Sequence, residues 1–122
     1  MKSPDPIHVH EHLPLHPLEF QILLCLTGGV THAYDIVRGI EERQPDWNKI
    51  LPTNLYRRIW RLAEAGLVEE VQRDLPPGER PRKYFGITPA GLSVAQAEAA
   101  RLRGLLLEAE RAGVSPTTEA PT

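Results

Sequence analysis

Basic and polar side chains gather in the middle of this chain, between Leu51 and Ile87, and they are its best candidates for chemistry on another molecule. The members of this set are Thr53, Asn54, Tyr56, Arg57, Arg58, Arg61, Arg80, Arg82 and Lys83. A guanidinium group donates paired hydrogen bonds to phosphate oxygens and to guanine, and a tyrosine hydroxyl can donate to a phosphate. We find no paired carboxylates, no nucleophile beside an ordering base and no glycine-rich phosphate loop. These residue types indicate binding of nucleic acid rather than catalysis.

The apolar residues of the same stretch recur with the period of a helix. Leu55, Ile59 and Leu62 are separated by four and three residues, so they share one face and leave the arginines on the opposite side. The helix is expected to begin near Pro52 and to end at Gly66, because glycine accepts the left-handed backbone of a helix C-terminus. Since the apolar face must pack on the rest of the protein, the basic face is predicted to point outward.

Two candidate strands follow this helix. They run from Val68 to Arg73 and from Arg82 to Ile87, with a proline-rich loop at 75–81 between them. Side chains alternate across a strand, so one of Tyr84 and Phe85 should pack inward while the other is partly exposed. An exposed basic helix beside a hairpin is the layout of a DNA-reading unit. A merely solvated arginine-rich surface is the alternative interpretation of the pattern.

Two helices are predicted upstream. The first begins at Pro17 and is apolar on nearly all sides, so we expect it to be covered twice, with a second subunit as one of the covers. The second is expected to have Thr31 as its N-cap and to end at Pro45. Together with the basic helix it forms a helix-turn-helix, in which the later helix enters the major groove of DNA.

A longer helix is predicted near the C-terminus, with Thr88 as N-cap and Pro89 in its first turn. Small and apolar residues recur along it at alternating intervals of three and four. They are Leu92, Ala95, Ala99, Leu102, Leu106 and Ala109. A heptad seam of this kind needs a partner, which predicts a homodimer. The alternative is a helix packed entirely on its own domain.

Composition limits the other possibilities. The 122 residues carry a net charge of −2, but residues 49–83 hold eight basic and five acidic residues while residues 1–48 hold three and seven. This asymmetry is more informative than the total.

Cys25 is the single cysteine, which excludes an internal disulfide and favours a reducing compartment. No apolar run approaches the ~20 residues of a membrane span, so a cytoplasmic protein without membrane contact is expected. No cofactor motif is present, and the histidines near the N-terminus lack the partners of a metal site.

Five segments of the chain, in order, resemble the PadR family of transcriptional regulators. They are Leu15–Phe20, Thr31–Ile36, Pro52–Tyr56, Leu62–Val68, and Arg82–Phe85 with the following Ile87–Gly91. The resemblance implies a mainly α-helical, winged helix-turn-helix fold with a small β-hairpin wing and a C-terminal dimerisation helix. The divisions expected are a flexible tail at 1–14, the DNA-binding domain at 15–87, the dimerisation helix at 88–112 and a disordered tail at 113–122.

The same resemblance implies a DNA operator as partner, a homodimer and, usually, repression. Three positions depart from the family pattern: Leu51 replaces a usual capping serine, Trp60 a usual lysine and Gly86 a residue that is often basic. These departures, with the net acidity, leave open an alternative in which the fold serves as a protein–protein adaptor that has lost DNA binding.

Some members of the family are released from DNA by phenolic acids or planar hydrophobic drugs, so a small hydrophobic or phenolic effector is a further implied partner. The last helix contains no aromatic residue, which argues against an aromatic site at the dimer centre. An effector is therefore expected near Trp47, Tyr34 or Trp60.

The helical phase divides the basic set into two roles. Thr53, Asn54, Arg57 and Arg58 are predicted to face base edges. The predicted phosphate contacts are Tyr56, Arg61, Arg80, Arg82 and Lys83. Packing of Tyr56 under the wing is the alternative for that residue. His32 is expected to have a structural or capping role rather than a catalytic one.

Overall fold

The computed structural model of the chain describes residues 6–43, 52–73, 77–78 and 82–116. It contains five helices and three strands in these ranges. They are α1 (Pro6–Glu11), α2 (Pro17–Leu26), β1 (Thr31–His32), α3 (Ala33–Arg43), α4 (Pro52–Glu64), β2 (Val68–Val71), β3 (Tyr84–Ile87) and α5 (Pro89–Arg111). The predicted fold class is confirmed, because the chain is mostly helical and has one small antiparallel sheet.

The centre of the fold is the apolar face of α4. Leu55 and Ile59 are completely buried and Leu62 nearly so, which confirms the face predicted from the helical period. This face packs on α2 and α3, and each fully buried side chain of this size contributes about 1.5–3 kcal/mol to the free energy of unfolding. Gly66 ends the α4 segment with a φ of +79°, as a left-handed C-terminal position requires.

Helix α2 is enclosed by its own chain. It packs on α3, α4, α5 and β3, and Ile22 and Leu23 are completely buried. Helix α5 folds back over α2 and so provides, from the same chain, the cover that the sequence pattern assigned to a second subunit. Its N-terminus has a cap that the sequence pattern missed: His16 Nδ1 accepts the Leu18 N–H at 3.0 Å, and Glu19 Oε1 accepts the His16 N–H at 3.3 Å.

The sheet has three antiparallel strands in the order β1-β3-β2, and the wing strands are shorter than predicted. Thr31 lies in β1, where it pairs with Phe85 of β3, so it is a strand residue rather than the N-cap of α3. Phe85 is completely buried and Tyr84 is half-buried, as expected for neighbours on opposite faces. Strand β1 was not predicted, because its two residues are too few to show an alternating pattern.

The segment before α2 differs from the flexible tail expected at 1–14. Pro6–Glu11 forms α1, which packs against α5, and Val9 belongs to the buried core. Leu13 also packs against that core. One valine and one leucine among histidines and prolines gave no periodic signal, and only the groove beside α5 makes them core residues. Residues 1–5 and 117–122 lie outside the described part of the chain.

Helix α5 is attached to the end of α4 by its first turn. Thr88 Oγ1 accepts the Gly91 N–H at 3.0 Å, which confirms the predicted N-cap, and the same hydroxyl donates to the Gly66 carbonyl at 2.6 Å. Gly91 is buried there, and a Cβ at this position would lie 2.0 Å from the Leu67 carbonyl oxygen. Only glycine therefore allows this close approach. None of the described helices is long and apolar enough to cross a membrane.

We expect Gly91→Ala to lower the free energy of unfolding by about 1–3 kcal/mol or more, because the new methyl group collides with backbone rather than with a movable side chain. The matched control is Gly104→Ala on the same helix, where no atom lies within 4 Å of the added Cβ. That change should raise stability by up to about 1 kcal/mol through helix propensity. Chemical denaturation measures both, and equal effects of the two changes would contradict this packing.

A buried carboxylate joins α5 to the chain before α2. Glu98 is 2% exposed, and it accepts hydrogen bonds from Arg101 Nε at 2.6 Å and Arg101 Nη2 at 2.9 Å. The bonds from Arg101 lower the pKa of Glu98 more than burial raises it, and the Leu15 N–H lowers it further. Glu98 is thus held ionised among apolar neighbours, which a buried charge requires.

Because the pKa of Glu98 is lowered on folding, its contribution to stability is present above the ordinary range of glutamate and is lost as the pH falls through the folded pKa. Glu98→Gln should therefore cost about 1–3 kcal/mol at neutral pH and progressively less in acid. Urea denaturation between pH 7 and pH 3 measures this difference. The matched control is Glu110→Gln on the same helix, which removes an exposed charge and should leave the free energy of unfolding within about 0.5 kcal/mol of the parent. A difference that stays constant with pH for Glu98→Gln would contradict the assignment.

Candidate nucleic-acid interface

The outward face of α4 carries the polar and basic side chains. Asn54, Tyr56, Arg57 and Arg61 are all exposed, opposite the buried leucine and isoleucine residues. The backbone of Thr53 lies in the first turn of the same helix. The structure thus brings most of the predicted helical contacts onto one surface, since a helix with one buried stripe has only one direction left for its charges.

Arg58 does not share this face. Its side chain is 26% exposed, and its Nη1 atom lies 4.0 Å from Glu19 Oε2 of α2. Glu19 is also the residue that completes the cap of α2, so Arg58 is directed toward the start of that helix. The predicted base-reading group therefore separates in space: Asn54 and Arg57 point outward, and Arg58 contacts its own domain.

The described cations of the wing are exposed, but each is held by a neighbour. Lys83 Nζ lies 3.7 Å from Glu70 Oε1 on the adjacent strand and 4.9 Å from the centre of the Trp60 ring. Trp60 in turn packs edge-to-face on Phe85, with ring centres 5.6 Å apart. Trp60 thus joins α4 to the wing and supports Lys83 by a cation–π contact. The predicted contact at Arg80 lies outside the described residues.

The start of α3, the middle of α4 and the wing surround an open cavity of about 500 Å³. Its lining includes His32, Tyr34, Tyr56, Trp60 and Arg82. A second cavity of about 470 Å³ lies on the other side of Tyr56, between α3 and α4. Tyr56 is therefore exposed between two cavities rather than packed under the wing. Trp47, named as an effector contact, lies outside the described residues.

Four residues at this surface were absent from the predicted contacts: His32, Tyr34, Arg38 and Arg73. Tyr34 is exposed at the start of α3, with the Arg38 guanidinium 6.0 Å from its ring centre. Arg73 lies 5.1 Å from the ring centre of Tyr84 at the end of the wing. His32 Nδ1 accepts the Asp35 N–H at 3.4 Å, which agrees with the predicted capping role. The basic and aromatic types of these four residues were the signal that the sequence offered. Their proximity could not be predicted, because it depends on strands that pair across long distances in the sequence.

The predicted dimerisation seam is only partly available to a partner. Leu92, Leu102 and Leu106 are exposed, whereas Ala95 is 5% exposed and belongs to the core of its own domain. The prediction for Ala95 is therefore wrong, because the side of α5 that covers α2 includes that position. Leu105 is also exposed but was not included in the seam. In the described residues, no three histidine, cysteine or acidic side chains are grouped as metal ligands.

Solved structures with the same fold include several transcriptional regulators. A regulator from Clostridium thermocellum, Cth-833, has a TM-score of 0.67 and 19% identity over 89% of this chain and 97% of its own. A PadR-like transcription factor from Bacteroides fragilis has a TM-score of 0.67 and 24% identity over 77% and 87%. A PadR family regulator from Clostridium difficile R20291 has a TM-score of 0.68 and 16% identity over 79% and 97%. At these identities the likeness concerns the fold alone.

No curated protein is similar enough in sequence to count as a relative. A sequence profile of the family described as "Transcriptional regulator PadR-like family" matches residues 22–97, from the middle of α2 into α5. This match includes the whole helix-turn-helix and the wing, and it is longer than half of the chain. The chain therefore belongs to the PadR-like family of transcriptional regulators and is not an enzyme.

Proposed function

We propose that this chain is a dimeric, sequence-specific DNA-binding regulator that represses transcription. The observation that carries the proposal is the outward face of α4, where Asn54, Arg57 and Arg61 are exposed on a helix whose other side is core. A rigidly seated helix of this kind can present side chains to base edges in the major groove. Repression is the part that rests on family resemblance, and it fits a protein that competes for a promoter.

Within this proposal the cationic side chains have two roles. Asn54 and Arg57 lie near the N-terminus of α4, the part of a recognition helix that meets base edges. Tyr56, Arg61 and Lys83 lie to the side or on the wing, where phosphates pass, and phosphate contacts position a protein without specifying sequence. Arg58, directed toward Glu19, is assigned to support of the helix rather than to base reading.

The decisive comparison is Arg57→Ala against Lys83→Ala. Loss of a base contact should cost about 1–3 kcal/mol of binding free energy on the operator and relax the preference at one position of each half-site. Loss of a phosphate contact should weaken all sequences about equally and reduce the salt dependence by roughly one counterion per lost contact. Fluorescence anisotropy with the chain's own promoter fragment and a scrambled duplex, over a salt series, measures both effects.

An unchanged ratio of specific to scrambled binding in Arg57→Ala would contradict base reading by this face. Arg103→Ala, on the exposed end of α5, is the matched control and should retain the parent affinity. If neither Arg57→Ala nor Lys83→Ala changes DNA binding, the adaptor alternative replaces this proposal.

The dimer in this proposal is formed through the exposed leucines of α5. Beyond Arg101 the helix carries Leu102, Leu105 and Leu106 on the side that continues the seam, and all three are exposed. A row of this size is larger than the scattered apolar residues of an ordinary surface. A two-fold dimer presents two α4 helices, so the operator should be a pseudo-palindrome with half-sites about one helical turn apart.

Leu102→Glu should convert the dimer to monomer, because it would place charges in a dry seam. Leu107→Glu is the matched control, since Leu107 is exposed on the opposite side of the same turn and should leave the dimer intact. Sedimentation at micromolar concentration distinguishes the two states. A parent protein that sediments as a monomer of 13.7 kDa would contradict the dimer.

A small hydrophobic effector is a secondary part of the proposal. The cavity between α3 and α4, of about 470 Å³, has a size within the range of small-molecule sites and is lined by Tyr34, Val37, Leu55 and Tyr56, among others. A molecule bound there would contact Tyr56 on the DNA-facing side of α4. Effector and DNA would then compete for the same side chain.

A further inference from the structure

A polar cluster joins the wing to the start of α3, and we call it the junction cluster. Its members are Thr31 and His32 of β1, Asp35 of α3, and Arg82 just before β3. His32 Nε2 lies 3.0 Å from Arg82 Nη1 and 3.4 Å from Asp35 Oδ2. Thr31 Oγ1 donates to the same Asp35 oxygen at 3.2 Å. The His32 side chain is 13% exposed and lies in the wall of the 500 Å³ cavity.

His32 has three polar contacts: Nε2 with Arg82, Nε2 with the Asp35 carboxylate, and Nδ1 with the Asp35 N–H. No single protonation state of the imidazole can satisfy all three. A neutral imidazole has one N–H donor and one acceptor nitrogen. If Nε2 accepts from Arg82, then Nδ1 carries the proton and cannot accept the Asp35 N–H. If Nε2 carries the proton, it can donate to the Asp35 carboxylate, but it then opposes the Arg82 guanidinium, which has only donors. The position of Arg82 therefore depends on the proton of His32.

Protonation decides this competition. An imidazolium has two donors and a positive charge: its Nδ1 no longer accepts the Asp35 N–H, but its Nε2 donates to the Asp35 carboxylate and its charge repels Arg82 at 3.0 Å. Among the described residues, the other groups that contact the ring or line the cavity include no second carboxylate. Tyr84 contacts the ring from β3, Tyr34 from α3, Tyr56 and Trp60 face the cavity from α4, and Lys83 lies on the wing. Arg73 lies on the far side of Tyr84.

We propose that the junction cluster is a backbone-phosphate site whose occupancy is coupled to protonation of His32. The proposal rests on the proposed DNA-binding function and names a contact and a regulatory variable within it. When His32 is neutral with its proton on Nδ1, its Nε2 accepts from Arg82 and holds that guanidinium on the ring. When His32 is protonated, Arg82 is released toward the open cavity that both side chains line, and the two cations can then bind one phosphodiester. Because a phosphate stabilises a neighbouring imidazolium, proton binding and DNA binding strengthen each other.

The direction in which DNA affinity should change with pH follows from the positive charge that the imidazole gains on protonation. Imidazole side chains change charge between about pH 5 and pH 8, so DNA affinity should rise as the pH falls through that range. One linked proton per subunit limits the gain to about tenfold per pH unit for each subunit. The effect should act on operator and scrambled duplexes alike, because a phosphate contact carries no sequence information.

The test measures DNA affinity by anisotropy at pH 6 and pH 8, at constant ionic strength, for the full chain and for His32→Gln. A glutamine amide can donate and accept hydrogen bonds but does not titrate. The parent should bind at least about threefold more tightly at pH 6, within the one-proton limit, and His32→Gln should lose most of this gain. His10→Gln is the matched control, since His10 is exposed on α1 and should leave the gain intact.

The coupling to Arg82 is tested by a double-mutant cycle. At pH 6 the loss of DNA affinity caused by His32→Gln should be smaller in an Arg82→Ala background than in the parent. At pH 8 the change in DNA affinity caused by His32→Gln should be the same in both backgrounds. A pH dependence that survives His32→Gln, with DNA binding intact, overturns this inference and leaves the proposed function standing. Absence of binding to any duplex at both pH values overturns the proposed function as well.

Discussion

The structure depends on the burial of one stripe of α4 against α2 and α3. Leu55, Ile59 and Leu62 fill the centre of the domain, and their burial fixes both the rotation of α4 about its axis and the direction of its polar face. Rotation by even one residue would move a charged or polar side chain into the core at a cost of several kcal/mol. The orientation of Asn54 and Arg57 is therefore a consequence of packing.

The positive charge of the same surface is smaller than the number of its cations suggests. Arg58 lies beside Glu19, and Lys83 lies beside Glu70, so part of the positive charge is compensated within the domain. The Lys83–Glu70 pair is the more exposed of the two, and in such pairs the attraction is weak and screened by salt. A phosphate can therefore compete for Lys83 at little cost, and a chain of net charge −2 can still have a locally cationic surface.

Helix α5 has two functions along its length. Its first half is core: Gly91 lies against the Leu67 carbonyl, Val94 and Ala95 are buried, and the buried Glu98 accepts hydrogen bonds from Arg101. Its second half extends past the domain with exposed leucines. A change in the packing of the first half would reach the second half through a continuous helix. In the proposed dimer, this helix would link the core of each subunit to the distance between the two DNA-facing surfaces.

The sequence by itself determined the elements with a clear period or a strong end signal. The apolar stripe of α4, the start of α2 at Pro17 and the cap of α5 at Thr88 are all properties of local sequence, and each agrees with the structure. The winged helix-turn-helix fold as a whole was implied by the resemblance of five segments to the PadR family. Local signals suffice here because helix periodicity and capping depend on residues only a few positions apart.

Only the tertiary structure decided which side chains meet. The pairing of β1 with β3 brings His32 to Arg82, fifty positions away along the chain, and the fold of α1 onto α5 makes Val9 a core residue. Ala95 belongs to the core rather than to the seam because α2 lies beneath it, and Arg58 turns inward because Glu19 lies within reach. No period or motif contains these facts, since each depends on contacts between residues far apart in sequence, and such contacts exist only after the chain has folded.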